Sequence, residues 1–220
     1  FNSSNVGLDV LAAHFLNLGY QECGEYHFVA KKLYSKHFEH PDPTEPKVFI
    51  SELLTEKFSP ELQAIVKKMT ANIDSATTSA DNFLYSGTHW DIDYSTYQQL
   101  LAESEFAAWV AAWGYRANHF TVSNNYLMNF DSIEAINEAV KKAGIALNTS
   151  GGEIKGTPQQ MLEQSSTLAD RHPVKFSDGV KEIPSCFYEF ARRYAKPDGN
   201  LFSGFIAESA DKIFESTNAR

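Results

Sequence analysis

The stretch GYRANHFTVSNNYL, residues 114–127, decides the fold because it joins a helix stop to an alternating strand. A helical pattern ends at Gly114, and His119, Thr121 and Ser123 then alternate with apolar residues. Alternation with a period of two predicts a β-strand whose two faces differ in polarity. A polar strand face lies either on solvent or inside a site. The histidine and the two hydroxyls therefore indicate either a solvent-exposed face of a sheet or a functional site.

The residues around this strand predict an α+β fold with an internal repeat. A helix that ends at a glycine and leads into several strands occurs twice, at Val6 to Leu18 and at Ser132 to Ala143. The strand at 117–123 precedes the second helix, whereas a matching first strand would have to lie before Phe1 and is missing from this chain. We therefore predict one domain, 1–220, with two βαβββ-type units at about 1–58 and 114–220 and a helical insertion at about 59–113.

Composition restricts the partners of the chain. Its 220 residues are 43% hydrophobic and carry a formal net charge of −9, so a core is expected but a nucleic-acid partner is not. No apolar run is long enough for a transmembrane helix, and the acidity argues against anionic membrane surfaces. Cys23 and Cys186 form no CxxC pair, which is typical of a reduced, cytoplasmic protein.

Four further segments carry local predictions. The stretch 20–34 predicts a hairpin that turns near Gly24. Pro158 predicts the start of a helix, and residues 201–206 predict a strand. His37 and His40 lie beside Glu39 and a Pro-rich segment, where histidines are more often solvated than bound to a metal.

Glu189 is the acidic residue that most needs a partner. It lies among aromatic residues in the predicted strand SCFYEFARRY, and an unpaired carboxylate is costly to bury. One alternative is an ion pair with a lysine or with Arg193, which shares its strand face. The other is a metal ion, with His119 as a second ligand. A non-haem iron site needs two histidines and one carboxylate, so these two residues supply only part of it.

A glycine-rich turn provides another candidate. The segment SGGEIKGTPQQ, residues 150–160, surrounds Lys155 with glycines and can present an ammonium group to a carboxylate or phosphate, or can be a simple tight turn. Gln164 follows in a polar run and can donate a hydrogen bond to a substrate oxygen.

Several segments together resemble a known family. They are GEYHF, FEHPDP, SEFAAWVAAWGYRANHFTVS, LNTSGGEIKGTP, LEQSSTLAD, IPSCFYEFARRY and ADKIFESTN. They resemble the short form of the DUF1338 family, which is related to the 2-oxoadipate dioxygenase/decarboxylases. The resemblance implies a vicinal-oxygen-chelate-like fold, in which two βαβββ-type units form a curved half-barrel with added helices. It also implies a mononuclear iron(II) centre with His119 and Glu189 as metal ligands. A first ligand histidine belongs to an H-x-x-x-R strand upstream of Phe1.

The resemblance also implies an activity. A 2-oxo acid, 2-oxoadipate in the related enzymes, reacts with O₂ at iron(II), loses CO₂ and becomes the shorter hydroxy acid, 2-hydroxyglutarate. A dicarboxylate needs a cation or hydrogen-bond donor at its far end, and Arg193, Lys155 and Gln164 are the candidates. Zinc or manganese is the alternative metal, and would make the protein a hydrolase or lyase on the same fold. A ligand-binding module that has lost catalysis is a third possibility.

Overall fold

The computed structural model describes residues 1–218 as two compact units with an α+β architecture, so the α+β part of the fold prediction is confirmed. The last two residues of the predicted unit 114–220 lie outside this range. The helices are α1 (Leu8–Asn17), α2 (Pro60–Thr70), α3 (Ser75–Thr78), α4 (Tyr94–Glu103), α5 (Glu105–Trp113), α6 (Ile133–Lys142) and α7 (Ala207–Phe214). The strands are β1 (Gln21–Phe28), β2 (Leu33–Glu39), β3 (Val48–Leu53), β4 (His119–Ser123), β5 (Lys155–Thr157), β6 (Leu162–Ser166), β7 (Arg171–Phe176), β8 (Gly179–Pro184) and β9 (Phe187–Arg193).

The first unit, residues 1–116 with 173–183, contains an antiparallel meander in the order β1-β2-β3. Helix α1 packs its apolar stripe on one face of this sheet, and Gly19 ends the helix with a φ of 96°. Leu8, Ala12, Phe38 and Ile50 form the buried contact. The four helices α2 to α5 follow the meander, between residues 60 and 113.

The second unit, residues 117–172 with 184–220, contains a mixed sheet in the order β4-β9-β6-β5. Strands β4 and β9 are parallel, and β9 is antiparallel to β6. Helix α6 lies against the face that carries Ser165, whose hydroxyl donates a hydrogen bond to Asn137 Oδ1 at 2.7 Å. The residues that alternate with Ser165 therefore point to the opposite face of the sheet.

Three local predictions are wrong. The first hairpin turns at residues 29–32, where Lys32 has a φ of 53°, because Gly24 occupies a β-bulge rather than the turn. Pro158 opens only a short 3₁₀ turn, which left-handed Met161 ends before β6. Residues 201–206 form only a single bridge at Leu201, and helix α7 follows.

The outcomes of other predictions are also clear. The strand of the opening stretch is confirmed as β4, and the helix at 132–143 is confirmed as α6, with Ser132 as its N-cap. Both Cys23 and Cys186 are free thiols. The solvated environment predicted for His37 is wrong, because the residue lies in β2 and is only 3% exposed. Within residues 1–218, no helix combines the length and the apolar character needed to span a bilayer.

Candidate active site

Two neighbouring parallel strands bring the predicted ligand residues together in the second unit. In the register of β4 and β9, His119 lies opposite Phe187 and Thr121 lies opposite Glu189. Alternation places all four side chains on the sheet face that points away from α6. His119 Nε2 is 3.3 Å from Glu189 Oε2. The two residues are 70 positions apart in the chain (189 − 119) and meet only through this pairing.

The carboxylate of Glu189 is buried and held by two hydrogen-bond donors. Glu189 is 3% exposed, Thr121 Oγ1 donates to its Oε2 at 3.2 Å, and Gln164 Nε2 donates to its Oε1. Gln164 reaches the carboxylate because it points to the same face from β6. Its own Oε1 is a buried acceptor without a partner within residues 1–218. The site thus contains a fixed carboxylate beside an unsatisfied oxygen, a combination that favours a further ligand.

The imidazole of His119 has a fixed orientation. Its ring stacks on the ring of Phe187, with centroids 4.6 Å apart and planes 15° apart, and Nδ1 lies 3.1 Å from Asn118 Oδ1. An amide oxygen is an acceptor, so this contact favours a proton on Nδ1 and a lone pair on Nε2. Two acceptors, Nε2 of His119 and Oε2 of Glu189, then face each other at 3.3 Å. A cation between them would remove this repulsion, and nitrogen and oxygen donors suit a divalent transition metal.

The two predicted cationic residues make other contacts. Arg193 does not form the ion pair with Glu189 that was one alternative; its Nη1 donates to the carbonyl oxygens of Phe202 and Gly204, at 3.0 and 2.6 Å. The reason is that the segment after β9 folds back over the guanidinium, which also lies over the Phe205 ring. Among residues 1–218, His119 is the one basic side chain within 4.0 Å of the Glu189 carboxylate.

Lys155 lies in strand β5, not in an open glycine turn. It is 4% exposed, pairs in register with Gln164, and donates from Nζ to the carbonyl oxygen of Asn148 at 2.6 Å. Burial lowers the pKa of the Lys155 ammonium to about 8, although the carboxylate of Glu153 acts in the opposite direction. The register puts Lys155 on the same sheet face as Gln164 and Glu189, with its charge held by backbone oxygens.

Comparison with known proteins identifies the family of the chain. The family model of the 2-oxoadipate dioxygenase/decarboxylases matches residues 2–200, which is most of the chain. The chain belongs to this family. The resemblance predicted from the sequence motifs is therefore confirmed.

Relatives of this family member include plant and bacterial proteins. The 2-oxoadipate dioxygenase/decarboxylase of Arabidopsis thaliana, a chloroplastic protein, is 37% identical over 99% of this chain and 66% of its own length. A crystal structure of hydroxyglutarate synthase from Oryza sativa in complex with 2-oxoadipate has a TM-score of 0.90 and 35% identity, over 100% of this chain and 78% of the other. A Shewanella frigidimarina protein, provisionally named a hydrolase, has a TM-score of 0.91 and 62% identity, over 94% and 82% of the two chains.

A solved structure with much lower sequence identity shares the fold. A glyoxalase-superfamily protein from Ralstonia eutropha shares it with a TM-score of 0.71 at 22% identity, over 88% of this chain and 67% of the other. This likeness agrees with a vicinal-oxygen-chelate-like fold. The chain spans about two thirds of the length of its plant relatives, at 66% and 67%.

The site of this family member includes residues that the sequence did not mark as functional. Thr121 was visible on the polar face of the strand, and its contact with Glu189 follows from the pairing of β4 with β9. Asn118 and Phe187, which orient His119, carry no sequence signal of their own. These contacts depend on the pairing of β4 with β9, which are nearly 70 residues apart. The sequence alone does not show this pairing.

Proposed function

We propose that the protein containing this chain is a metal-dependent dioxygenase that decarboxylates a small 2-oxo dicarboxylic acid. The preferred substrate is 2-oxoadipate, which the homologous Oryza sativa enzyme binds in its crystal structure. One O₂ enters, CO₂ leaves and 2-hydroxyglutarate forms, so all atoms of the six-carbon acid and of O₂ are accounted for. The observation that carries the proposal is the His119–Glu189 pair, 3.3 Å apart in a chain of the dioxygenase/decarboxylase family.

The donor atoms of the pair fit a divalent metal, for which we propose iron(II), with zinc or manganese as alternatives. Imidazole and carboxylate ligands suit non-haem iron, and Phe187 and Asn118 fix the imidazole as outer contacts do in metal sites. When bound, iron would bind the oxo acid and activate O₂. Gln164 and Thr121 would hold Glu189 in one orientation, so that its oxygens stay directed at the metal position.

We propose the third ligand that the family resemblance implies, a histidine in a strand that would precede Phe1. The sheet topology supports this: in the second unit β4 pairs with β9, which is also the last strand in chain order, whereas in the first unit β3 pairs only with β2 within residues 1–218. Asn2 N already donates to Leu53 O at 3.1 Å, beside the open edge of β3. A strand there would complete the first βαβββ unit of the proposed half-barrel and carry the expected histidine.

Substrate contacts remain assigned to Gln164, Lys155 and Arg193. Gln164 has the strongest support, because its side chain already contacts Glu189 and its amide Nε2 carries a second N–H that can donate to a substrate oxygen. Lys155 shares the face of Gln164, but it would have to release the Asn148 carbonyl to reach a carboxylate. Arg193 would have to leave the carbonyls of the segment after β9. We therefore rank Gln164 first for binding near the reacting end, and the two cations for the distal carboxylate.

Two other functions follow from the same site. A hydrolase or lyase that uses a divalent metal as a Lewis acid would need the same ligands, and the Shewanella frigidimarina relative carries the provisional name of a hydrolase. A non-catalytic binding module would keep the fold without the activity.

A cytoplasmic location also stays a prediction, and the two plant relatives are named as plastid proteins.

The first experiment is oxygen uptake by the full-length protein, reconstituted anaerobically with Fe(II) and mixed with 2-oxoadipate. We expect uptake with equal release of CO₂ and formation of 2-hydroxyglutarate, and loss of all three in Glu189→Gln. The matched control is Glu182→Gln, which changes an exposed glutamate outside the site. Bound metal without uptake would favour the hydrolase or lyase, and absence of both would favour the binding module.

A further inference from the structure

A second group of metal-binding side chains lies in the first unit, on neighbouring strands β1 and β2. Ligand atoms of Cys23, His37 and Glu39 lie within 4.8 Å of one another. Cys23 is exposed, His37 is buried and Glu39 is half-buried. We propose that these three side chains bind a divalent metal ion of the zinc class. This site is independent of the proposed dioxygenase centre, because it uses other residues and a thiolate.

The distances suit a tetrahedral ion after a small movement. Bonds of about 2.0–2.3 Å to zinc place neighbouring ligand atoms about 3.3–3.6 Å apart. His37 Nε2 and Glu39 Oε1, at 3.1 Å, are already close to this separation. Cys23 Sγ donates to the carbonyl oxygen of Gln21 at 3.4 Å and lies within 4.8 Å of the other two ligand atoms, so it has to approach by at most about 1 Å. An exposed side chain on an edge strand can make this movement without repacking the core.

A β-bulge and a glycine create the geometry. The register between β1 and β2 shifts between Glu22 and Gly24, so Cys23 is the extra residue in the edge strand. Bulges re-aim side chains, and they are frequent at sheet edges next to functional sites. Gly24 lies opposite His37, and a Cβ at this position would lie 3.0 Å from the imidazole atoms Cε1 and Nδ1. The missing side chain thus makes room for the ring of His37 to lie across β1.

Outer contacts orient two of the three ligands. Tyr26 OH lies 2.9 Å from His37 Nδ1, and Lys47 Nζ forms an ion pair with Glu39 Oε2. A metal-bound histidine almost always has its second ring nitrogen in such a hydrogen bond. Nε2 of His37 and Oε1 of Glu39 lie 3.1 Å apart, and a ligand atom of each residue lies within 4.8 Å of Cys23 Sγ. On binding, the thiol loses one proton to solvent, and the thiolate and carboxylate balance the two charges of the ion.

The test uses Co²⁺ as a spectroscopic substitute for Zn²⁺ on the metal-free full chain. A thiolate ligand gives Co²⁺ an intense near-ultraviolet charge-transfer band, whereas the His119–Glu189 site contains no sulfur. We expect the band in the unaltered protein, in Cys186→Ser and in His119→Ala, and its loss in Cys23→Ser. Cys186, in the second unit, is the matched control because it is the other free cysteine.

Two quantitative readouts complete the test. Tyr26→Phe removes only an outer contact, so Co²⁺ should bind roughly 10- to 100-fold more weakly with the band still present. Zn²⁺ should slow alkylation of Cys23 by iodoacetamide at least tenfold and leave Cys186 unchanged. Absence of the band in the unaltered protein, its persistence in Cys23→Ser, or equal alkylation of Cys23 with and without Zn²⁺ would overturn the proposed site.

Discussion

Replacing Gln164 by glutamate tests the hydrogen bond that holds Glu189. The substitution keeps the shape of the side chain but exchanges the Nε2 donor for an oxygen, beside a carboxylate that is 3% exposed. Two carboxyls at one buried position cannot both ionise easily, so the pKa of the introduced carboxyl rises. In protonated form its O–H replaces the lost N–H, and the variant should then be as stable as the unaltered protein.

The stability difference between Gln164→Glu and the unaltered protein depends on pH, and its sign follows from proton linkage. The introduced carboxyl has a higher pKa in the folded than in the unfolded chain, so the folded state binds more protons and stability falls as pH rises. A rise of about 2 pKa units corresponds to about 3 kcal/mol, lost between about pH 4.5 and pH 7. For a chain of this size, that is a fall in Tm of roughly 6–12 °C.

Amide hydrogen exchange in β6 and β9, on metal-free protein, is the suitable assay. The tryptophans, Trp90, Trp109 and Trp113, all lie in the first unit, so their fluorescence does not report on this sheet. At pH 7 we expect exchange on the order of 100-fold faster in Gln164→Glu. Gln159→Glu, at an exposed position in the same unit, should change exchange little at any pH. A difference from the unaltered protein that stays constant from pH 5 to pH 8 would refute the reasoning.

Three further predictions concern the second unit. His119→Ala should weaken metal binding in the full-length protein by more than about 100-fold, because it removes a ligand rather than an outer contact; calorimetry should find no such loss for the exposed His172→Ala. Burial lowers the pKa of Lys155 to about 8 from 10.5. Burial of the ammonium therefore destabilises the folded protein below pH 8, and this destabilisation decreases as pH rises to about 10.5. Urea unfolding followed by circular dichroism should therefore show a pH-dependent stability difference between the unaltered protein and Lys155→Met; a constant difference would contradict the burial effect. Gly156→Ala should lower the free energy of unfolding by clearly more than the ~1–2 kcal/mol that an alanine in left-handed backbone conformation costs. The reason is a clash, because the added Cβ would lie 2.2 Å from Leu162 O. Gly144→Ala is the control, since its Cβ would meet no atom within 4 Å. Equal unfolding free energies for the two glycine variants would contradict the clash.

Local patterns predicted the elements whose signals lie within a few residues. The alternation around His119 predicted β4, and the periodicity after Ser132 predicted α6. The predictions of a turn at Gly24 and of a helix at Pro158 were wrong, because glycine also occurs in β-bulges and proline also begins short 3₁₀ turns. In both places neighbouring strands outweighed the local preference, since a strand gains most of its stability from its partners.

For the candidate site too, the sequence indicated the chemical kind of some residues but not their contacts. Sequence motifs indicated His119 and Glu189 as ligands, which stays a prediction, and the structure puts the two side chains 3.3 Å apart. The cations were harder to predict, because charge type alone does not say which oxygen a lysine or arginine will meet. Lys155 and Arg193 meet backbone carbonyls instead of the Glu189 carboxylate.

The sequence by itself determined the family, the α+β class and the chemical types of the residues on the polar face of β4. These properties depend on motifs and periodicities that a linear chain displays directly. Only the tertiary structure decided that β4 pairs with β9, that Gln164 and Thr121 hold Glu189, and that His37 lies near Cys23 across a bulge. Strand register fixes each of these contacts, and register is set by packing between segments that are distant in the chain.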